Sequence, residues 1–272
     1  MSTLSDTMSA LRTEGRPALV AYLPAGFPDV PTSIRAMTAV VAAGVDVVEV
    51  GLPYTDPVMD GPTIQAAADR ALAAGVRLAD VFEVVRAVAA TGAPTVVMTY
   101  WNPVEHHGVE RFARSLADAG GSGLITPDLI PDEADEWTRA ASAHGLDQVF
   151  LVAPSSTDAR LAMTAEASSG FVYATSVMGV TGSRARTSSL APELVRRLRA
   201  VTDLPIGVGL GVSNADQAAE VGAYADAVIV GSALVRCMLD AGDDNDAGVA
   251  AVRDLAGELR EGVGRARRPA PA

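Results

Sequence analysis

The chain has 272 residues, 49% of them hydrophobic, one cysteine and a formal charge of −12. That is material for one large domain or two small ones, and the acidic balance argues against nucleic acid as a partner. No apolar run approaches bilayer length, the N-terminus lacks a basic-then-apolar signal pattern, and the lone Cys237 fits a reducing compartment, so a cytoplasmic protein away from membranes is expected. In chain order, an amphipathic segment at 4–15 precedes eight short, mostly β-branched runs at 18–23, 45–51, 94–99, 123–125, 148–152, 171–174, 205–208 and 227–230. Ala-rich helical stretches fall between them at 32–43, 62–74 with 79–91, 109–119, 133–144, 158–168, 191–201 and 215–221, and a last one covers 247–265.

Strands that are apolar throughout expect helices on both faces. Eight of them, each followed by helical sequence, predict an α/β fold: a parallel (β/α)8 TIM barrel with an extra N-terminal helix. No low-complexity linker divides the chain, so residues 1–272 are read as one domain, with 1–16 as the N-terminal helical segment and 266–272 as a frayed tail. A doubly wound open sheet is the alternative. No CxxC or HxxxH spacing is present, so no metal site is expected, and the adjacent His106 and His107 read as loop surface.

Two acids mark the second strand and the loop after it. Glu49 lies inside the apolar run Val45-Asp46-Val47-Val48-Glu49-Val50, and Asp60 lies just before Gly61-Pro62, where a helix begins. A carboxylate inside a strand is costly unless it is paired, hydrogen-bonded or used. Strand ends and the loops after them carry the chemistry of α/β proteins, and two acids there can divide acid and base duties. The bland alternatives are a buried ion pair for Glu49 and a helix-capping turn for Asp60.

Strand seven runs into Gly207-Val208-Gly209-Leu210-Gly211, and strand eight into Val230-Gly231-Ser232. Two glycine-rich loops at neighbouring strand ends favour a phosphate, because bare backbone amides approach an anion closely. Gly209-x-Gly211 is not a dinucleotide fingerprint, since the third glycine and the downstream acid are missing. The Gly-, Ser- and Arg-rich stretch 179–189 after strand six reads as a mobile lid.

The segment Glu49-Val50-Gly51-Leu52-Pro53-Tyr54-Thr55-Asp56-Pro57-Val58-Met59-Asp60-Gly61-Pro62-Thr63-Ile64-Gln65 resembles the signature of the tryptophan synthase alpha chain family. The resemblance extends through Pro24-Ala25-Gly26-Phe27-Pro28, Met98-Thr99-Tyr100-Trp101-Asn102-Pro103, Pro127-Asp128-Leu129, Gly179-Val180-Thr181-Gly182 and both glycine loops. It implies cleavage of indole-3-glycerol phosphate to indole and glyceraldehyde 3-phosphate, with Glu49 and Asp60 as the catalytic pair. It further implies phosphate binding by Gly182, Gly211, Gly231 and Ser232. Around the indole it implies Tyr22, Ile64, Met98, Tyr100, Ile125, Tyr173, Thr181 and Leu210. Asp128 matches a structural or signalling acid outside the pair.

The resemblance also implies a partner, a beta subunit carrying pyridoxal phosphate, in an alpha2beta2 heterotetramer. The contact is expected around Asp56-Pro57 and Asn102-Pro103, with no cofactor in this chain. Leu210 departs from an aromatic familiar in the family, which removes a stacking partner for indole, and Val177 stands where some relatives have Arg. Competing readings are a free-standing lyase, a non-catalytic activator of a beta subunit, and another phosphate-binding barrel such as a sugar-phosphate isomerase. The Asp-Pro-x-x-Asp-Gly-Pro run disfavours the last.

Overall fold

The computed structural model describes residues 3–175, 190–209 and 211–266. The chain opens with α1 (Thr3–Thr13), β1 (Ala18–Pro24), α2 (Val30–Ala42), β2 (Val47–Gly51), α3 (Pro62–Ala73), α4 (Leu78–Ala89) and β3 (Thr95–Met98). It continues through α5 (Trp101–His107), α6 (Val109–Asp118), β4 (Gly123–Thr126), α7 (Asp135–His144), β5 (Asp147–Val152), α8 (Asp158–Ala167) and β6 (Val172–Thr175). It closes with α9 (Leu190–Arg199), β7 (Ile206–Gly209), α10 (Ala215–Gly222), β8 (Ala227–Val230), α11 (Ser232–Asp240) and α12 (Asn245–Gly264).

The strands pair in parallel and in sequence order, and β1 pairs with β8 as well as with β2. The sheet is therefore a closed barrel, which removes the two edges an open doubly wound sheet would keep. Alternation along each strand sorts the side chains into two apolar clusters. Val20, Val47, Val96, Ile125, Val149 and Ile229 fill the barrel interior. Their neighbours Leu19, Val48, Val97, Leu124, Phe150 and Val228 point outward and pack under the helices.

α1 closes one end of this barrel. Leu4, Met8 and Leu11, at helical spacing, are buried among the interior residues. Ser5 Oγ donates to both carboxylate oxygens of Asp147 at 3.1 Å, and the Thr3 and Ser122 hydroxyls meet at 2.6 Å. Asp147 begins β5 and Ser122 immediately precedes β4, so the plug sits at the N-terminal end of the strands. The same end is fastened by Arg16, which grips Asp46 at 2.8 and 2.9 Å, and by Arg199, 2.8 Å from Asp226. The opposite mouth is left for chemistry.

Two short helices depart from the sequence expectation. His106 and His107 form the last turn of α5, not a loop. The helix stops at Gly108, whose φ of +96° suits only glycine, and the His107 ring lies 6.3 Å from Phe82 and 6.4 Å from Phe112. α11 follows β8 directly, starting at Ser232. The helix expected at 133–144 starts two residues later, as α7, behind a 3-10 turn at Pro131–Glu133. The stretch 176–189, Leu210 and the tail 267–272 lie outside the described residues, and with them Val177, Thr181, Gly182 and the expected lid.

Candidate active site

β2 carries the first acid into the barrel. Glu49 is two residues beyond the interior Val47, hence on the same face, and it stands in register between Tyr22 of β1 and Val96 of β3. It has no exposed surface, and neither carboxylate oxygen has a hydrogen-bond partner among the described residues. No ion pair with Glu49 is found among those residues either, so the buried-pair alternative fails. Burial without compensation disfavours the charged form and pushes the carboxyl up from 4.5 to about 8.

Asp60 is held differently. The N-cap of α3 is Gly61, with Pro62 opening the first turn, so Asp60 is not the capping residue. Its Oδ1 accepts from the Tyr100 hydroxyl at 3.0 Å, while that hydroxyl accepts from the Met59 N–H at 2.9 Å. Gln65 Nε2 donates to the Asp60 carbonyl at 2.7 Å and fixes the loop from the helix side. Burial raises the Asp60 carboxyl above its ordinary range, and the bond from Tyr100 opposes that rise.

Tyr100 owes its place to the start of α5. It is the N-cap, and the next amide, Trp101 N–H, donates to both Asp128 carboxylate oxygens at 2.9 and 3.1 Å. Its ring leans on Tyr54 with centroids 5.3 Å apart, and Asn102 Nδ2 donates to the Tyr54 hydroxyl at 3.0 Å. None of these contacts is written in local sequence, since Tyr54, Asp60, Tyr100 and Asp128 come from three different loops.

Two more tyrosines close the mouth. Burial, then the charges of Asp60 and Glu49 and the nearby Tyr100 and Tyr173, raise the Tyr22 hydroxyl well above its usual value. Burial and then Glu49 do the same for Tyr173. These five groups therefore face one space. Glycine makes room for the rings: a Cβ at Gly51 would come within 2.3 Å of Tyr22 Oη, and one at Gly209 within 2.5 Å of Tyr173 Oη. Ile125 is buried in the interior cluster, with Met98 and Tyr173 packed against it. Ile64, in the first turn of α3, belongs instead to the apolar layer beneath the helices.

The glycine loops flank this space at the ends of β7 and β8. Gly211 has φ of +67°. The start of α10 is already satisfied: Asn214 caps it by accepting from Gln217 N–H, and Gln217 Oε1 accepts from Ser213 N–H at 2.8 Å. The start of α11 has no such cap among the described residues: Gly231 is the N-cap and offers no side chain to the first-turn amides. First-turn amides left without a side-chain cap, together with the helix dipole, favour an anion there. Two acids and three tyrosines beside an uncapped helix start are groups that can move protons next to an anion.

Beside the mouth, Thr55, Asp56 and Asn102 are exposed, as are the apolar Val58 (71%) and Ile130 (43%). Among the described residues no group of three His, Cys, Asp or Glu is placed to hold a metal, and no helix is long and apolar enough to cross a membrane. The sequence signals that lead to Tyr54, Gln65 and Asp128 as supports of Asp60 are weak; only the strand-end loops of Tyr54 and Asp128, and the first turn of α3 for Gln65, hint at them.

The family described as tryptophan synthase alpha chain matches residues 8–264. A tryptophan synthase alpha chain of Salinispora tropica is 62% identical over 271 residues, covering 100% of this chain and 100% of its own. One of Acidothermus cellulolyticus is 60% identical, covering 97% of this chain and 98% of its own. A solved structure of Mycobacterium tuberculosis tryptophan synthase superposes with a TM-score of 0.90 at 56% identity, over 96% of this chain and 98% of that one.

Proposed function

This chain belongs to the tryptophan synthase alpha chain family, and on that premise we propose how its mouth carries the alpha reaction. The reaction is a lyase cleavage of indole-3-glycerol phosphate to indole and D-glyceraldehyde 3-phosphate. Glu49 and Asp60 are the catalytic pair. The observation that carries this reading is the contrast between them: Glu49 is buried without a partner and pushed to about 8, while Asp60 accepts a hydrogen bond that favours its anion.

Indole leaves poorly until C3 is protonated. Glu49, neutral near pH 7, gives its proton to C3 while the Asp60 carboxylate takes the proton from the ring nitrogen. The product is a 3H-indole with a C2=N double bond. The Glu49 carboxylate then accepts the proton of the side-chain hydroxyl next to C3. The C–C bond breaks, its electron pair restores the indole ring, the nitrogen recovers its proton from Asp60, and the aldehyde forms. Each acid ends as it began, and no external electron acceptor is needed.

The phosphate is held by Gly211, Gly231 and Ser232, with Gly182 from the stretch outside the described residues. Tyr22, Met98, Tyr100, Ile125 and Tyr173 surround the indole, with Ile64 behind them and Thr181 and Leu210 completing the set. The partner is a beta subunit carrying pyridoxal phosphate, which consumes the indole in an alpha2beta2 heterotetramer in the cytoplasm. Exposed apolar Val58 and Ile130 next to Asp56-Pro57 and Asn102-Pro103 support a docking role for these loops. The whole chain acts as one domain. Indole release from indole-3-glycerol phosphate, with and without a beta subunit, tests the reading. Asp60→Asn and Glu49→Gln should each stay folded and lose about 10²–10⁴ in rate. Near-normal turnover in either would remove the pair. High activity without any partner would point to a free-standing lyase.

A further inference from the structure

The Tyr100 hydroxyl has one proton to give and stands between a backbone amide and the Asp60 carboxylate. Only one of the two can take that proton: the Met59 N–H, which can only donate, points at the hydroxyl oxygen from 2.9 Å. Asp60 Oδ1, an acceptor, lies on the other side at 3.0 Å. The oxygen is thus an acceptor toward Met59, and its proton is committed to Oδ1. Accepting this proton favours Oδ1 as an unprotonated oxygen of the carboxyl. The remaining oxygen, Oδ2, makes no hydrogen bond among the described residues, and no ion pair there involves Asp60.

We propose that Tyr100 is the positioning residue of the reaction: its hydroxyl, set by the Met59 amide, turns Asp60 so that Oδ1 is filled and Oδ2 faces the substrate N–H. The inference rests on the assignment of Asp60 as the base. Tyr100 can do this because it cannot swing. Its backbone is clamped by Asp128 through the Trp101 amide, and its ring packs, tilted, against Tyr54, which Asn102 holds by the hydroxyl. Asp128 thereby gains a function, fixing the start of α5 and with it the phenol that orients a catalytic acid one loop away.

The test is a pH profile, because the bond also favours the Asp60 anion. The titratable groups that share its space are Tyr22 from β1, Glu49 from β2 and Tyr173 from β6. They are common to every variant compared. Tyr100→Phe keeps the ring and removes only the hydroxyl. With indole release as the assay, on the chain with its beta subunit, kcat/KM should fall roughly 10-fold or more. The acid limb of the profile should move toward neutral pH, since Asp60 without its donor holds its proton more tightly. Tyr54→Phe, which loses the Asn102 bond but leaves the Tyr100–Asp60 bond, should keep the limb in place. In an Asp60→Asn background, Tyr100→Phe should cost far less than in the wild type. A folded Tyr100→Phe whose acid limb superimposes on the wild type would overturn the proposal, as would a full additive loss in the Asp60→Asn background. Retained activity in Asp60→Asn alone would fault the catalytic pair instead, whatever Tyr100→Phe did.

Discussion

Replacing Glu49 by Gln should alter the pH dependence of folding as strongly as it alters catalysis. Glu49 is fully buried, both oxygens lack partners among the described residues, and its carboxyl sits at about 8 against 4.5 in an unfolded chain. Below pH 4.5 the group is neutral in both states and costs nothing electrostatic. Between pH 4.5 and 8 the unfolded chain releases the proton and the native chain keeps it, so stability declines as pH rises and levels off above 8. Linkage puts the loss at under about 1 kcal/mol at pH 5 and about 3 kcal/mol at pH 7. The glutamine of the variant has no proton to release. Its buried amide brings an offset, but that offset does not change with pH. Urea unfolding of both proteins at pH 5, 6, 7 and 8 should therefore show the variant gaining about 2–3 kcal/mol on the wild type between pH 5 and pH 7. All other titrating groups cancel in the difference. A stability difference that stays flat across this range would refute the claim that Glu49 is buried and protonated in the native protein.

Gly51→Ala places a methyl 2.3 Å from Tyr22 Oη, so it should destabilise by about 1–3 kcal/mol and raise KM, and Tyr22→Leu in the same chain should recover part of the stability in thermal melts. Ser232→Asp puts a carboxylate at the uncapped start of α11 and should weaken glycerol phosphate binding more than about 10-fold while leaving indole binding unchanged, as read by calorimetry. Equal loss of both ligands would point to misfolding rather than to an anion site. Leu4→Ala empties a fully buried position in the plug and should cost about 2–5 kcal/mol in urea, with little change in kcat because the mouth lies at the other end.

The barrel was legible because its strands are buried on both faces: runs such as Ala-Val-Ile-Val of β8 and Thr-Val-Val-Met of β3 admit little else. Glu49 was legible for the same reason, as the one carboxylate among the residues of β2. α5 was not. Trp101–His107 is too short for a helical period to emerge, and Pro103 and two histidines read as loop. α11 was hidden by its own start, because Gly231-Ser232 signals an anion loop and the Leu234, Val235 and Met238 face begins at once after it. The bond between Tyr100 and Asp60 spans 40 residues of sequence, and no pattern in either segment announces it. The expected roles of Thr181, Gly182 and Leu210 lie outside the described residues.

Closing the barrel through β1 and β8 ties its first strand to its last in time as well as in space. During synthesis α1 and β1 leave the ribosome before the rest of the barrel, yet the partners of α1 include Ser122 and Asp147, and β1 has no neighbour on one side until Ala227–Val230 is made. Until then the nascent chain carries an open strand edge and an apolar helix face built from Leu4, Met8 and Leu11. Such surfaces recruit chaperones or other nascent chains. A ribosome stalled before β8 would hold a barrel whose first-made elements are its stickiest, and the first edge the barrel forms is the last it covers.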